Sequence, residues 1–269
     1  MTSTQPIRAS AGLAYGLLGL PLAFVALPLY VILPNHYARE FAAPLAALGA
    51  VLLAARLVDA VLDPIIGRWC DRLAAHSRQR LLGVAAAAAV VLALGLWGLL
   101  FPPPAVRSAS MAALLGWAGA VMAVTYTAYS VVSVAHQTWG TRLGGNEAQR
   151  SRISAWREGL ALVGVLTAAL LPGTLGLGAT VAAFAVLLAL GWWAWSGAVV
   201  PTARGLTLGV LAARSPLRQP RFVRLLAVFV VNGTASAVPA TLVLFFVQDR
   251  LQAPASVEPA FLATYFLCA

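Results

Sequence analysis

An all-α, polytopic membrane helix bundle is the fold the sequence predicts, and three observations predict it. Seven apolar runs are each long enough to cross a ~30 Å hydrocarbon layer at about 1.5 Å per residue. Mean hydropathy is +0.87 and only 10% of residues are charged, values that a water-soluble chain of 269 residues could not carry. The 18 basic residues are all arginine, and they cluster in short segments between the apolar runs, which is how membrane proteins set their topology. The net charge of +10 therefore does not point to nucleic acid, which would call for a continuous basic patch.

The runs cover approximately 11–33, 45–66, 81–101, 111–135, 153–171, 179–200 and 225–247. The first has only Arg8 before it and exceeds the ~7–15 residues of a signal-peptide core, so it reads as part of the folded protein. Pro21, Pro28 and Pro34 should bend that helix or end it. The second run carries charge and leaves the membrane at Gly67. Runs three, five and six are monotonous in Ala, Gly and Leu, small residues that let helices approach closely. Trp192, Trp193 and Trp195 close run six as an interfacial aromatic belt. The long polar stretch 202–224, with Pro216 and Pro220, reads as a linker between bundles. An eighth run opens near Pro259 and is too short to cross by Ala269, so the chain reads as truncated there. The predicted organisation is a six-helix bundle (1–201), a cytoplasmic linker (202–224) and the start of a second bundle (225–269).

Arginine placement predicts the orientation. With the N-terminus inside, fourteen arginines lie in inner segments, three (Arg39, Arg107 and Arg250) lie outside, and Arg56 lies within the membrane. The expected location is the plasma (inner) membrane, with the N-terminus cytoplasmic. Loops are short, so successive helices should be antiparallel neighbours.

The stretch from Ala54 to Arg72 carries the chemistry. Arg56, Asp59 and Asp63 are spaced three and four apart, which at ~100° per residue places them on one helix face. An ionised side chain near the bilayer centre costs about 2.5–3.5 kcal/mol, so a stripe of three should face protein or a wet cavity. Two carboxylates one turn apart offer hard oxygen ligands to a small cation, or one of them carries a proton. A static salt-bridge cluster is the structural alternative. Run four has the most polar face, with Thr125, Tyr126, Thr127, Tyr129, Ser130 and Ser133; these hydroxyls line a cavity or bond a neighbouring helix. His136, at its inner end, reads as a loop contact. Asn232, Thr234, Ser236 and Thr241 offer the same two readings in run seven.

Gly67-x-x-x-Asp71-Arg72, followed by Arg78 and Arg80, resembles the loop motif of major facilitator transporters. The wider pattern Arg56-x-x-Asp59-x-x-x-Asp63-Pro-x-x-Gly67 is similar to one branch, the glycoside–pentoside–hexuronide:cation symporters, which includes the melibiose carrier. Thr125-Tyr-Thr127, Arg150-Ser-Arg-Ile-Ser-Ala-Trp-Arg-Glu158 and Asn232-Gly-Thr-Ala-Ser236 resemble that branch as well. The resemblance implies a major facilitator fold, here the first six-helix bundle plus helix seven and the start of helix eight. It implies a cation site at Asp59, Asp63 and Thr127, with Arg56 matching the branch's helix-two arginine. The acids that grip sugar hydroxyls in that branch fall here at Ala23 and Ser130, so a substrate that is less hydroxylated, more apolar or anionic is open. Substrate contacts are expected from Arg56, Tyr126, Ser130 and Asn232. Gly67, Asp71, Arg72, Arg78, Arg80, Arg157 and Glu158 are expected in the gating network, or as simple helix-end pairs.

The predicted function is secondary active transport: symport of a small solute with Na⁺ or H⁺ by alternating access, by a monomer in the lipid bilayer with no cofactor and no enzymatic activity. Two rivals stand beside it. A Mg²⁺-dependent membrane transferase acting on a diphosphate needs several carboxylates converging from separate helices, and after Asp71 only Glu147, Glu158, Asp249 and Glu258 are left. A non-transporting receptor on the same fold is the other. No phosphate-binding Gly-x-x-x-x-Gly-Lys loop, His/Cys cluster or Ser/His/Asp set occurs, and Cys70 and Cys268 give no pairing pattern.

Overall fold

The structure is a computed structural model that describes residues 9–143, 147–199, 218–254 and 256–268. No strand occurs among these residues, and six helical elements are long and apolar enough to cross a membrane. They are α1 (Ala9–Glu40), α2 (Leu45–His76), α3 (Arg78–Leu100, with a short turn Pro104–Ala109 after it), α4 (Met111–Arg142), the 50-residue stretch Glu147–Ser196 and α7 (Pro220–Phe245). A last helix, α8 (Glu258–Cys268), follows a π-turn at Phe246–Arg250.

The 50-residue stretch is two helices. Gly176 has φ +82° and ψ 171°, a conformation open to glycine because it lacks a Cβ. Gly164 and Gly191, about 40 Å apart on a straight helix, both press against the same turn of α1, at Leu20 and at Leu18 with Pro21. The chain therefore folds back at Gly176 into α5 (147–175) and α6 (177–196), which restores the seven predicted spans.

Helix α1 sits at the centre of the bundle, wedged against α5 and α6; Leu18, Phe24, Val25, Leu29 and Leu33 are buried. Its prolines act as expected in kind and differently in place. Pro21 has no N–H for the Leu17 carbonyl, and the helix breaks at residues 17–18. At Pro28 the helix does not end. It shifts into a π-turn, Pro28–Ile32, closed by the Leu33 N–H on the Pro28 carbonyl, and helix continues through Pro34 to Glu40. Helices α2, α3 and α4 form the other half, with α4 between α2 and α3.

Several sequence expectations need correction. The segment from Gly67 to His76 is not a loop: α2 runs unbroken to His76, so Gly67, Asp71 and Arg72 lie on its last turns, and only Ser77 separates it from α3. Arg78 and Arg80 likewise sit in the first turn of α3, where the Ser77 hydroxyl accepts the Arg80 N–H at 3.3 Å. Polar side chains end an apolar run without ending a helix, because beyond the hydrocarbon layer they pay no burial cost. The contacts of His136 are with helices rather than a loop: it is fully buried inside α4, against Tyr15 of α1 and Trp195 of α6. Of the expected tryptophan belt only Trp193 is exposed. Trp195 is buried between His136 and Trp139, and Trp192 donates its indole N–H to the Leu82 carbonyl at 3.2 Å. Up to residue 217 the predicted linker lies outside the described residues.

The α1–α5 contact is close enough to test. A Cβ added at Gly164 would stand 2.1 Å from the Leu20 carbonyl oxygen, whereas one added at Gly116 meets nothing within 4 Å. Gly164→Val should cost at least about 2 kcal/mol by forcing two backbones apart. Gly116→Ala should be neutral or gain up to about 1 kcal/mol of helix propensity. Thermal unfolding in detergent, comparing the two variants with wild type, checks this.

Candidate functional site

Asp59 and Asp63 flank the midpoint of α2, within its apolar run and toward the Gly67 end of it. The face they share looks toward α4. The Ser130 hydroxyl donates to Asp59 Oδ1 at 3.0 Å, and an Arg56 N–H stands 4.0 Å from Asp59 Oδ2. The Asp59 side chain is 14% exposed and that of Arg56 is 43% exposed, so the carboxylate is recessed behind the guanidinium. The Arg56 guanidinium carbon lies 3.8 Å from the ring centre of Tyr30 on α1 and 4.8 Å from that of Tyr126 on α4. The two rings meet at 58° with centres 5.8 Å apart, forming a corner that holds the cation.

Asp63, one turn further on, is exposed, with its Cβ about 6 Å from that of Asp59 by helix geometry. Pro64 follows it inside the helix and has no N–H to give the Ala60 carbonyl. Two carboxylates and a carbonyl without its usual helical donor thus occupy one turn. Such hard oxygens suit a small cation.

The other expected residues divide. Tyr126 and Ser130 belong to the cluster. Thr127 does not reach it: one position from Tyr126 turns the side chain by ~100°, toward a groove lined by Ala88, Val91 and Val124, and its hydroxyl donates to the Ala123 carbonyl at 2.8 Å. The hydroxyl that meets Asp59 is that of Ser130. Asn232 is exposed on α7, whose main packing on α1 is at the π-turn and just beyond it. Thr234, Ser236 and Thr241 bond carbonyls of their own helix.

At the arginine-rich end, Asp71 accepts the Thr138 hydroxyl at 3.4 Å, and its carbonyl accepts an Arg142 N–H at 2.9 Å, pinning α2 to α4. Arg78 stands over the Trp139 ring and donates to the Ser196 carbonyl, linking α3 to α4 and α6. Arg157 pairs with the adjacent Glu158 at 2.5 Å. Arg72 and Arg80 are exposed, and a Cβ at Gly67 would meet nothing within 4 Å. Among the described residues no three His, Cys, Asp or Glu side chains converge in a way that could hold a metal ion.

Sequence reasoning missed a polar latch at the opposite end. Asn35 donates to Gln248 at 2.8 Å, Gln248 donates to Glu258 at 3.0 Å, and Arg39 pairs with Asp249. Pro259 sits against Gly173, where a Cβ would come within 2.2 Å. These contacts fasten α7 and α8 to α1 and α5. The one signal in the sequence was Asn35 and Arg39, four apart past the apolar run.

The family model described as MFS/sugar transport protein matches residues 8–268. The chain belongs to that family. It is therefore a major facilitator protein, an integral multi-pass membrane protein of a transporter family, and the helical bundle accords with that. Comparison with curated proteins gave no match. In this major facilitator protein the latch joins α7 and α8 to α1 and α5.

If the latch holds α7 against α1, releasing it should expose buried surface. Val247 is 2% exposed in the latched structure. In a Cys268→Ser background, Val247→Cys should react slowly with a maleimide. Adding Asn35→Ala and Arg39→Ala should speed labelling about tenfold, since a hydrogen bond and a half-exposed ion pair together hold back about 1–2 kcal/mol of local opening.

Proposed function

We propose that the chain is a cation-coupled secondary transporter that moves a small solute by alternating access, with Asp59 and Asp63 as the ligands of Na⁺ or H⁺. The observation that carries this reading is the recessed Asp59. It lies at mid-helix, accepts the Ser130 hydroxyl at 3.0 Å, stands 4.0 Å from Arg56, and has a second carboxylate one turn away. A purely structural salt bridge would close to ~2.8 Å and satisfy every oxygen. This cluster leaves carboxylate oxygens with room for a ligand.

Ser130, rather than Thr127, is the proposed hydroxyl ligand, a reading its 3.0 Å hydrogen bond to Asp59 supports. A cation bound between the carboxylates offsets their charge and favours the state in which they are enclosed, so the ion gradient biases the conformational equilibrium. The latch supplies the matching gate: in the latched state Asn35 and Arg39 close the end opposite the arginine-rich one. The arginine distribution supports a cytoplasmic N-terminus in the plasma (inner) membrane. A sugar-like solute follows from the family description, and Arg56 favours solutes that include an anionic group.

Uptake into vesicles of a panel of labelled glycosides and glycuronides, with and without an imposed Na⁺ or H⁺ gradient, tests the reading. Asp59→Asn or Asp63→Asn should reduce gradient-driven uptake at least about a hundredfold, the scale of losing a charged ligand. Insertion should be unchanged. Gradient dependence that survives both substitutions overturns the assignment.

A further inference from the structure

We propose that Tyr30 is a positioning residue for the cation site: its ring holds the Arg56 guanidinium off Asp59 and so keeps that carboxylate open to an incoming cation. This rests on the reading of Asp59 and Asp63 as cation ligands.

The argument starts from spacing. Arg56 and Asp59 are three apart on one helix, where arginine and aspartate readily close to a ~2.8 Å charge-assisted contact. Here the closest approach is 4.0 Å, through Asp59 Oδ2. The guanidinium is held elsewhere, face-on to Tyr30 at 3.8 Å and more loosely to Tyr126 at 4.8 Å. The negative face of an aromatic ring attracts the cation without supplying a full counter-charge. Arg56 is thereby stabilised inside the membrane without consuming the carboxylate. Asp59 Oδ1 already accepts from Ser130 at 3.0 Å, so Oδ2 is the oxygen that Arg56 would close if released. A closed Arg56 is a tethered cation at effectively high local concentration, and it would compete with the coupling ion for the same atom.

The position of Tyr30 gives the contact a second consequence. It lies in the π-turn Pro28–Ile32, the part of α1 that packs against α7. A shift of that turn as α7 comes and goes moves the ring relative to Arg56. The same ring that keeps Asp59 available in the latched state can thus release the arginine onto it in the other. Ion affinity becomes tied to which gate is closed.

The experiment measures binding to the purified chain in detergent, so no substrate is needed. The probes are ²²Na⁺ in a scintillation-proximity assay and, for a proton site, proton release on raising the pH, followed with a soluble indicator dye. Tyr30→Leu should weaken Na⁺ binding, or make the proton leave at lower pH, by about tenfold in affinity, the scale of one desolvated cation–π contact. Tyr30→Phe keeps the ring and should stay within about twofold of wild type. Arg56→Lys keeps the charge but loses the planar stack. It should reproduce the Tyr30→Leu shift without altering α1, so the test survives if Tyr30→Leu folds poorly. In an Arg56→Gln background Tyr30→Leu should have no further effect. Unchanged affinity in both Tyr30→Leu and Arg56→Lys overturns the proposal, as does an equal Tyr30→Leu shift with Arg56 absent. Failure of the underlying reading looks different: the wild-type chain binds neither ion, or Asp59→Asn leaves binding intact.

Discussion

Charge inside an apolar helix is the constraint from which the rest of this structure follows. Arg56, Asp59 and Asp63 cannot face lipid without a cost of several kcal/mol, so α2 must turn that face toward protein. The partner it finds is α4, which offers the Ser130 hydroxyl to one carboxylate and the Tyr126 ring to the guanidinium. The match is incomplete, because Asp63 stays exposed and Arg56 stops 4.0 Å short of Asp59. A static core would close those gaps.

Helix α1 connects this cluster to the periphery. Its glycines allow it to sink against α5 and α6: Gly16 meets the Trp156 backbone, Gly19 the Arg157 backbone, and Gly191 of α6 meets Leu18. Its prolines remove hydrogen bonds at set places, and the chain answers with a break before Pro21 and a π-turn from Pro28. That π-turn holds Tyr30 against Arg56 on one side and touches α7 on the other. One and two turns further, Asn35 and Arg39 form the latch. A single helix thus touches both the cluster and the latch.

Much of the fold was legible because hydrocarbon imposes one rule along the whole chain: backbone groups must be satisfied within the segment, so a long apolar run becomes a helix. The seven runs follow from that, and so does the shared face of Arg56, Asp59 and Asp63, since helix period fixes their angle. The ends of the runs were less legible. Gly67 through His76 stays helical although polar, since nothing penalises a polar helix once it has left the bilayer. His136 and Trp195 were misplaced for a related reason. Hydropathy reads distance from lipid, and both residues are buried in protein, His136 stacked on Tyr15 and Trp195 edge-on to Trp139.

By itself the sequence determined which segments are long and apolar enough to cross the membrane, and that Arg56, Asp59 and Asp63 share one helix face. Each of these depends on one helix at a time, on its length, its period and the cost of charge in hydrocarbon. Only the tertiary structure decided that Ser130 rather than Thr127 meets Asp59, because that turns on the rotation of α4 about its own axis, set by packing against α2 and α3. It alone placed Tyr30 over Arg56 and Asn35 beside Gln248. Those partners lie on different helices, and their meeting depends on how glycine contacts and proline breaks seat α1 among its neighbours.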